Sequence, residues 1–411
     1  MIKLHREQDC CGCSACEQVC ARHAISLQND KKGFLYPVID VTACNQCGLC
    51  NAVCPIRNEG EQRIPSYTYA VKNKDEKVRL DSSSGGLFSI LAEQTINKGG
   101  KVYGALFDEN WNVVHSSVAK AEDIFKMRGS KYVQSILNNT FKYVKADLKT
   151  GMPVLFSGTP CQVAGLLRFL KKDYENLTTV DFVCHGVPSP QIWKDYLKET
   201  TAAWKSTAGK STVSMPLNLM STIKDIRFRD KSNGWEKFRF VLKLAEASAE
   251  GKKSSVSTII DDYIWENDYM RLFLDNYILR PSCHECHFRN GKSGSDYTIA
   301  DYWQVGRFYP DFDDDKGVSI FLCYKNDMPT YVEQKIEYIE TPFEDACYGN
   351  RSLRYDYPYN GASPFFYFFH NNLKMRLRRS MVASKFCSDK LCKIKSLVHR
   401  LKNKIRKICR R

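Results

Sequence analysis

Two cysteine runs of identical spacing dominate the start of the chain. Cys10, Cys13, Cys16 and Cys20 follow C-x2-C-x2-C-x3-C, and Cys44, Cys47, Cys50 and Cys54 repeat the pattern, with Pro55 after the last. This is the two-cluster ferredoxin spacing, in which three close cysteines grip one cubane and the fourth crosses to the other. Crossed ligand sets follow: Cys10, Cys13, Cys16 and Cys54 for one 4Fe-4S cluster, and Cys44, Cys47, Cys50 and Cys20 for its neighbour. Thiolates are soft donors and suit iron–sulfur iron. Structural zinc sites draw their cysteines in pairs and do not repeat this run. Cys11 falls out of register and receives no role. Ala21 stands where proline is usual after the first run, which is a turn detail.

The chain has 411 residues, enough for two or three domains. Its eighteen cysteines, with no apolar leader in "MIKLHREQDCCG", fit a reducing compartment, and the expected location is the cytoplasm. The net charge of +15 is concentrated at one end. Residues 372–411 hold fifteen Lys/Arg and one acid, Asp389, so the remainder is close to neutral. That distribution removes the support that net charge would give to nucleic-acid binding by the whole chain, and no nucleic-acid partner is expected.

Residues 1–60 read as a ferredoxin module, with two short strands around a turn at Asp30–Gly33. A polar stretch, 57–66, reads as a linker. From Tyr67 strands and helices alternate. Strands are expected in "YTYAVK", "KVYGALF", "NVVHSSVA", "MPVLFSG" and "LTTVDFVC". Helices are expected in "SSSGGLFSILAEQTINKG", with serine N-caps, in "SILNNTFKYVKADLKTG" and in "TPCQVAGLLRFLKK". The fold class is α+β or α/β: a bacterial-type ferredoxin module, a mixed α/β core and a basic C-terminal helix. The core divides at 67–150 and 151–371, followed by the tail at 372–411. "TAAWKSTAGKSTVSMPLN" and "AEASAEGKKSSVS" read as surface loops. "GKST" at 209–212 lacks the earlier glycine of a phosphate-binding loop.

Four further cysteines stand in informative places. Cys161 lies at a strand-to-helix turn and Cys184 at the end of the next strand, so both belong to one sheet edge. Cys283 and Cys286 form a C-x-x-C loop that can close over that edge. Read alone, the set fits a third cluster, a zinc site or unrelated buried cysteines.

The motifs "SSSGGLFS", "RGSKYVQS", "GTPCQVAGL", "VCHGVPSP" and "RPSCHECHF…SDYTIADYW" resemble the coenzyme F-420 hydrogenase/dehydrogenase beta-subunit family over about residues 67–325. Related members include plant hydroxymethyl-chlorophyll reductases and bacterial proteins of surface-polysaccharide gene clusters. The resemblance implies a core that binds FAD and a 4Fe–4S cluster, the latter on Cys161, Cys184, Cys283 and Cys286. A flavin is expected near Ser83, Ser84, Gly85 and Gly86, where a helix start offers N–H groups to an anion; an ordinary helix start is the alternative. Ser130 would add a donor, Lys131 a cation and Tyr132 a stacking ring. Ser157, Gly158 and Thr159 form a tight turn beside Cys161. His185 is a candidate proton donor, and Asp296 and Asp301 are candidates for turn capping or flavin contact.

These readings combine into an iron–sulfur flavoprotein oxidoreductase. Electrons pass from the ferredoxin clusters through the third cluster to FAD, and on to a small-molecule substrate, with surface polysaccharide biosynthesis as the setting. The expected donor is a ferredoxin or a reductase. Two rivals stand beside it: an electron-transfer subunit serving a partner enzyme or a deazaflavin oxidoreductase, and a membrane-surface scaffold with structural clusters. In the tail, Leu391, Ile394, Val398, Leu401, Ile405 and Ile408 recur at helical steps amid Lys/Arg. Such a helix suits an anionic membrane surface, peripheral to the inner face, or an acidic partner.

Overall fold

The computed structural model describes residues 2–208, 222–245 and 256–354. The amphipathic tail, the "GKST" segment and most of "AEASAEGKKSSVS" lie outside the described residues.

In the ferredoxin module two short helices, α1 (Ala15–Val19) and α2 (Leu49–Ala52), follow the paired cysteine loops. The halves are joined by an antiparallel hairpin, β1 (Ile25–Asn29) and β2 (Leu35–Ile39). The two loops share backbone geometry at matched positions. Gly12 and Gln46 precede Cys13 and Cys47 with positive φ, and Ser14 and Gly48 follow them with positive φ. The sequence duplication is thus a conformational duplication.

The core is an eight-stranded mixed sheet. Its strands are β3 (Tyr67–Asn73), β4 (Lys101–Phe107), β5 (Val113–Val118), β6 (Val154–Gly158) and β7 (Leu177–Phe182), a segment described below that supplies none, and then β11 (Tyr297–Asp301), β12 (Ser319–Cys323) and β13 (Ile336–Glu340). The order is β13-β3-β12-β11-β7-β6-β4-β5. β4, β6, β7 and β11 run parallel. Strands buried on both faces read as continuous apolar runs, and "VLF" at 154–156 is fully buried. Alternation then sorts the two faces. Val154 and Phe156 meet α5 (Thr140–Lys149) and α6 (Pro160–Leu170), together with Cys11, Cys13 and Val53 of the ferredoxin module. Leu155 meets α4 (Leu87–Asn97) on the other face. The ferredoxin module is therefore part of one core layer.

The intervening segment holds α7 (Pro190–Ala208), β8 (Ile223–Asp230), β9 (Arg239–Ala245), β10 (Val256–Tyr263) and α8 (Asp268–Leu274). β8, β9 and β10 form an antiparallel sheet. It encloses an aromatic core of Trp193, Tyr196, Phe228, Phe240 and Tyr269, which Phe34 and Tyr36 of the hairpin join.

Four local expectations are corrected. The serines do not cap α4; Gly86 is its N-cap, at φ 83°, and no side chain caps it. Ser83 Oγ instead accepts from Ser130 N–H, and Ser84 Oγ donates to Val318 O. The helix expected from Ser135 begins at Thr140, because Ile136 is held by backbone bonds with Val113 and His115. Residues 201–208, read as loop, continue α7: Thr201 Oγ1 donates to Leu197 O at 2.8 Å, and Trp204 packs against the aromatic core. The 57–66 stretch is no loose tether. Arg63 N–H donates to Asn290 O, and its guanidinium reaches Gly291 O and Ser295 O.

Candidate functional site

The cysteines of the two runs gather in space as well as in sequence. Cys54 lies within electrostatic reach of Cys10, Cys13 and Cys16, although it belongs to the second run. Cys13, Cys16, Cys50 and Cys54 are buried, Cys10, Cys20 and Cys44 half-buried, and Cys47 exposed. The half of the module containing Cys47 thus faces solvent, while the half containing Cys13 faces the core.

Local sequence explains the placement of Cys161. Thr159 caps α6, with Gln162 returning the bond to the Thr159 N–H at 3.0 Å, and Pro160 opens the helix. This capping box sets a sharp strand-to-helix turn. Cys161 therefore projects from the first turn, at the carboxyl end of β6. Cys184 follows β7, the parallel neighbour, at the same edge. Cys283 sits in a one-turn helix after Pro281, and Val187 N–H donates to its Sγ at 3.4 Å. Cys161, Cys184, Cys283 and Cys286 line one cavity with about 770 Å³ of space free of atoms, part of it open to solvent.

This donor set fits an iron–sulfur cluster. Burial, with neighbouring thiols adding to it, pushes Cys184 well above the ordinary thiol range, and burial pushes Cys283 up to about 12. Such thiols ionise when a bound cation compensates the charge. They ring the cavity, and four thiolates there would be soft donors of the kind that iron–sulfur iron takes.

The residues expected around a flavin gather at the same carboxyl edge, where open α/β sheets bind ligands. Ser83 and Ser130 are bonded at 2.7 Å. Tyr132 stacks on Phe273 at 4.6 Å between ring centres, and His185 meets Phe273 edge-on at 5.0 Å. Ser157 O pairs with His115 Nε2 at 3.0 Å, and Thr159 Oγ1 with Cys161 Sγ at 3.1 Å. Several polar groups here are already engaged. Gly85 N–H donates to Ser319 Oγ, and Lys131 Nζ folds onto the carbonyls of Met127, Arg128 and Gly129. Burial lowers Lys131 to about 7 and His185 to about 4, so His185 is neutral near pH 7. Asp301 pairs with Arg229 and accepts from Trp235 Nε1, while Asp296 accepts from Thr179 N–H and Oγ1. The two aspartates thus hold the fold together.

Gly85 has a packing requirement of its own. A Cβ there would stand 2.4 Å from Val71 O and 2.7 Å from Ser319 N. Gly85→Ala should destabilise the chain by about 1–3 kcal/mol through overpacking, seen as a lowered thermal midpoint. An unchanged midpoint would refute the close approach.

Two residues of the site receive no role from the sequence, although Cys11 stands out of register and Arg280 opens the motif "RPSCHECHF". Cys11 is buried and lines the cavity together with Cys161. Arg280, fully buried, donates to Cys10 O at 2.7 Å, Gln134 Oε1 at 3.0 Å and Leu35 O at 2.8 Å. The adjacency of Cys10 and Cys11 was the available clue, since neighbours in an extended loop face different ways.

Two family models match separate parts of the chain. The 4Fe-4S dicluster domain family matches residues 9–58. The family described as the C terminus of the coenzyme F420 hydrogenase/dehydrogenase beta subunit matches residues 151–342. Coenzyme F420-dependent sulfite reductase of Methanocaldococcus jannaschii is 26% identical over 189 residues, which cover 44% of this chain and 28% of that protein. One of the subunits of the F(420)H(2) dehydrogenase of Methanosarcina mazei is 29% identical over 174 residues, covering 37% and 46%. The matches span less than half the length of either relative. A chain of the F420-reducing [NiFe] hydrogenase complex from Methanosarcina barkeri superimposes with a TM-score of 0.40 at 16% identity, over 71% of this chain and 87% of that one. Among the described residues no helix is long and apolar enough to cross a membrane. Residues 9–58 thus match the 4Fe-4S dicluster domain, and residues 151–342 match the C-terminal domain of the coenzyme F420 hydrogenase/dehydrogenase beta subunit.

Proposed function

We propose that this chain is an iron–sulfur oxidoreductase that moves single electrons inward through three 4Fe-4S clusters to a two-electron acceptor at the carboxyl edge of the sheet. The observation that carries the reading is the cavity lined by Cys161, Cys184, Cys283 and Cys286 directly against the dicluster module. The first two clusters take the crossed ligand sets. Electrons enter from a donor such as a ferredoxin or reductase at the solvent-facing half that contains Cys47, where Val41 and Leu49 expose apolar surface.

The acceptor is FAD in this proposal, beside Tyr132, His185 and the Ser157–Thr159 turn. A flavin would convert single electrons into a hydride equivalent for a small-molecule substrate. The family resemblance supports FAD; the engaged polar groups of the Ser83–Gly86 turn mean that its phosphates would rest on other donors. The setting in surface-polysaccharide synthesis rests on the resemblance alone. A second reading, an electron-transfer subunit serving a partner or a deazaflavin, is favoured by the relative that is itself one part of a dehydrogenase.

Anaerobic purification followed by iron, sulfide and flavin counts tests the proposal. About twelve irons and one flavin per chain support it. A full iron count without flavin, in a protein that bleaches only with a partner present, selects the second reading.

A further inference from the structure

We propose that His115, a strand residue far in sequence from every cysteine, positions the Thr159 hydroxyl as a hydrogen-bond donor to Cys161 Sγ and so sets the potential of the core cluster. The inference rests on the three-cluster reading and adds to it the groups that surround one ligand.

The geometry begins at the edge of the sheet. β5 is the last strand, and β4 separates it from β6. His115 on β5 is buried, and its ring stacks on Phe156 at 5.5 Å between centres. Its Nε2 meets Ser157 O at 3.0 Å, in the turn that leads to Cys161. Its Nδ1 meets Ser135 Oγ at 2.9 Å. Gln162 Nε2 donates to Ser135 Oγ at 2.8 Å, and Gln162 Oε1 accepts from Thr159 N–H at 3.0 Å. Gly158 makes room for this arrangement: a Cβ there would stand 3.1 Å from Gln162 Oε1 and 3.1 Å from Phe156 Cε1. The chain of bonds ends on Thr159, whose Oγ1 lies 3.1 Å from Cys161 Sγ.

One assignment of donors satisfies every member. Ser157 O is a carbonyl and can only accept, so His115 carries its hydrogen on Nε2. Burial lowers His115 to about 4, so near pH 7 the ring is neutral and Nδ1 accepts from the Ser135 hydroxyl. Ser135 Oγ accepts in turn from the Gln162 amide, and Gln162 Oε1 is left for Thr159 N–H. Thr159 Oγ1 accepts from the Gln162 backbone N–H. A sulfur bound to iron carries no hydrogen, so the Thr159 hydroxyl donates to it. Hydrogen bonds to cluster sulfurs set potentials. This one favours the more negative, reduced state and raises the core potential. One electron enters the oxidised core cluster, and no proton moves. Both are positioning residues: His115 acts through Thr159, and Thr159 through Cys161.

The test compares full-length wild type, Thr159→Val, Thr159→Ser, His115→Phe and the double variant of His115→Phe with Thr159→Val, each reconstituted anaerobically. Iron is counted, and the midpoint potential of each cluster is read by redox titration with electron paramagnetic resonance. All should hold about twelve irons. Thr159→Val should weaken the core cluster's affinity for its electron about tenfold, the low end of the cost of losing an outer partner of a ligand, which is a fall of about 59 mV for a one-electron couple. His115→Phe should shift it in the same direction by less, and the double variant by no more than Thr159→Val alone. Thr159→Ser keeps the hydroxyl and should hold the wild-type potential. The two dicluster potentials should not move in any variant. If Thr159→Val loses iron through its helix cap, His115→Phe, which leaves Thr159 in place, decides by the same potential. A wild-type core potential in either variant overturns the inference, as do equal shifts of all three clusters or shifts that add in the double variant. Only about eight irons in the wild type would instead remove the third cluster, and with it the reading on which the inference rests.

Discussion

Arg280→Met detaches the first cysteine loop from the core and lowers stability by about 3–5 kcal/mol, because three buried acceptors lose a charged donor at about 1–3 kcal/mol each before relaxation. Methionine nearly matches the volume, so the loss isolates the polar terms. Arg280 is fully buried, and its guanidinium satisfies Cys10 O, Gln134 Oε1 and Leu35 O at once. The guanidinium also lies 4.3 Å from the centre of the Tyr36 ring. Its own backbone takes part: Arg280 N–H donates to Val187 O, and Arg280 O accepts from Cys283 N–H. The residue thus links the loop bearing Cys10, the hairpin that follows it and the turn bearing Cys283. Each acceptor left buried without a donor costs about 1–3 kcal/mol, against a total domain stability of about 5–15 kcal/mol. Chemical denaturation measures the loss, and chelator challenge should release iron faster from the variant. A change within about 1 kcal/mol would show that water or neighbouring donors replace the guanidinium.

Cys283→Ala removes the core cluster and about four of twelve irons, leaving the dicluster module loaded. Cys283 faces the cavity shared with Cys161, Cys184 and Cys286, and no other cysteine stands on its one-turn helix. Cys323→Ala is the matched control. Cys323 is equally a core-domain cysteine, but it is fully buried in β12 among apolar side chains. Its replacement should leave the iron count unchanged. Equal iron loss in both variants would mean that the count follows general instability and not ligation.

Much of this arrangement is legible in short-range pattern. Strands β4, β6 and β7 and helix α6 follow from runs of apolar residues, a Thr-Pro helix start and the change of period between them. Cys161 and Cys184 share a sheet edge because consecutive parallel strands end on the same side, a consequence of topology that spacing alone implies. Other features depend on partners distant in sequence. Cys11 shares a cavity with Cys161 across 150 positions, and Arg280 meets Cys10 across 270. The serines before α4 look like caps, yet Ser83 and Ser84 are drawn to Ser130 N–H and Val318 O by the tertiary fold. Residues 201–208 look like a loop by composition, but Trp204 finds an apolar surface and the helix continues. In each case a long-range contact outweighs a weak local preference. Deleting residues 1–60 to isolate the core would also remove two of the three acceptors of Arg280, Cys10 O and Leu35 O, so point variants of the full chain report more cleanly.

The most direct test of the account is an iron and acid-labile sulfide count on anaerobically reconstituted full-length protein, with zinc measured in the same samples and Cys283→Ala run alongside. The account predicts about twelve irons and twelve sulfides in the wild type, about eight of each in the variant, and no stoichiometric zinc in either. About eight irons in both proteins, or one zinc lost on substitution of Cys283, would contradict it.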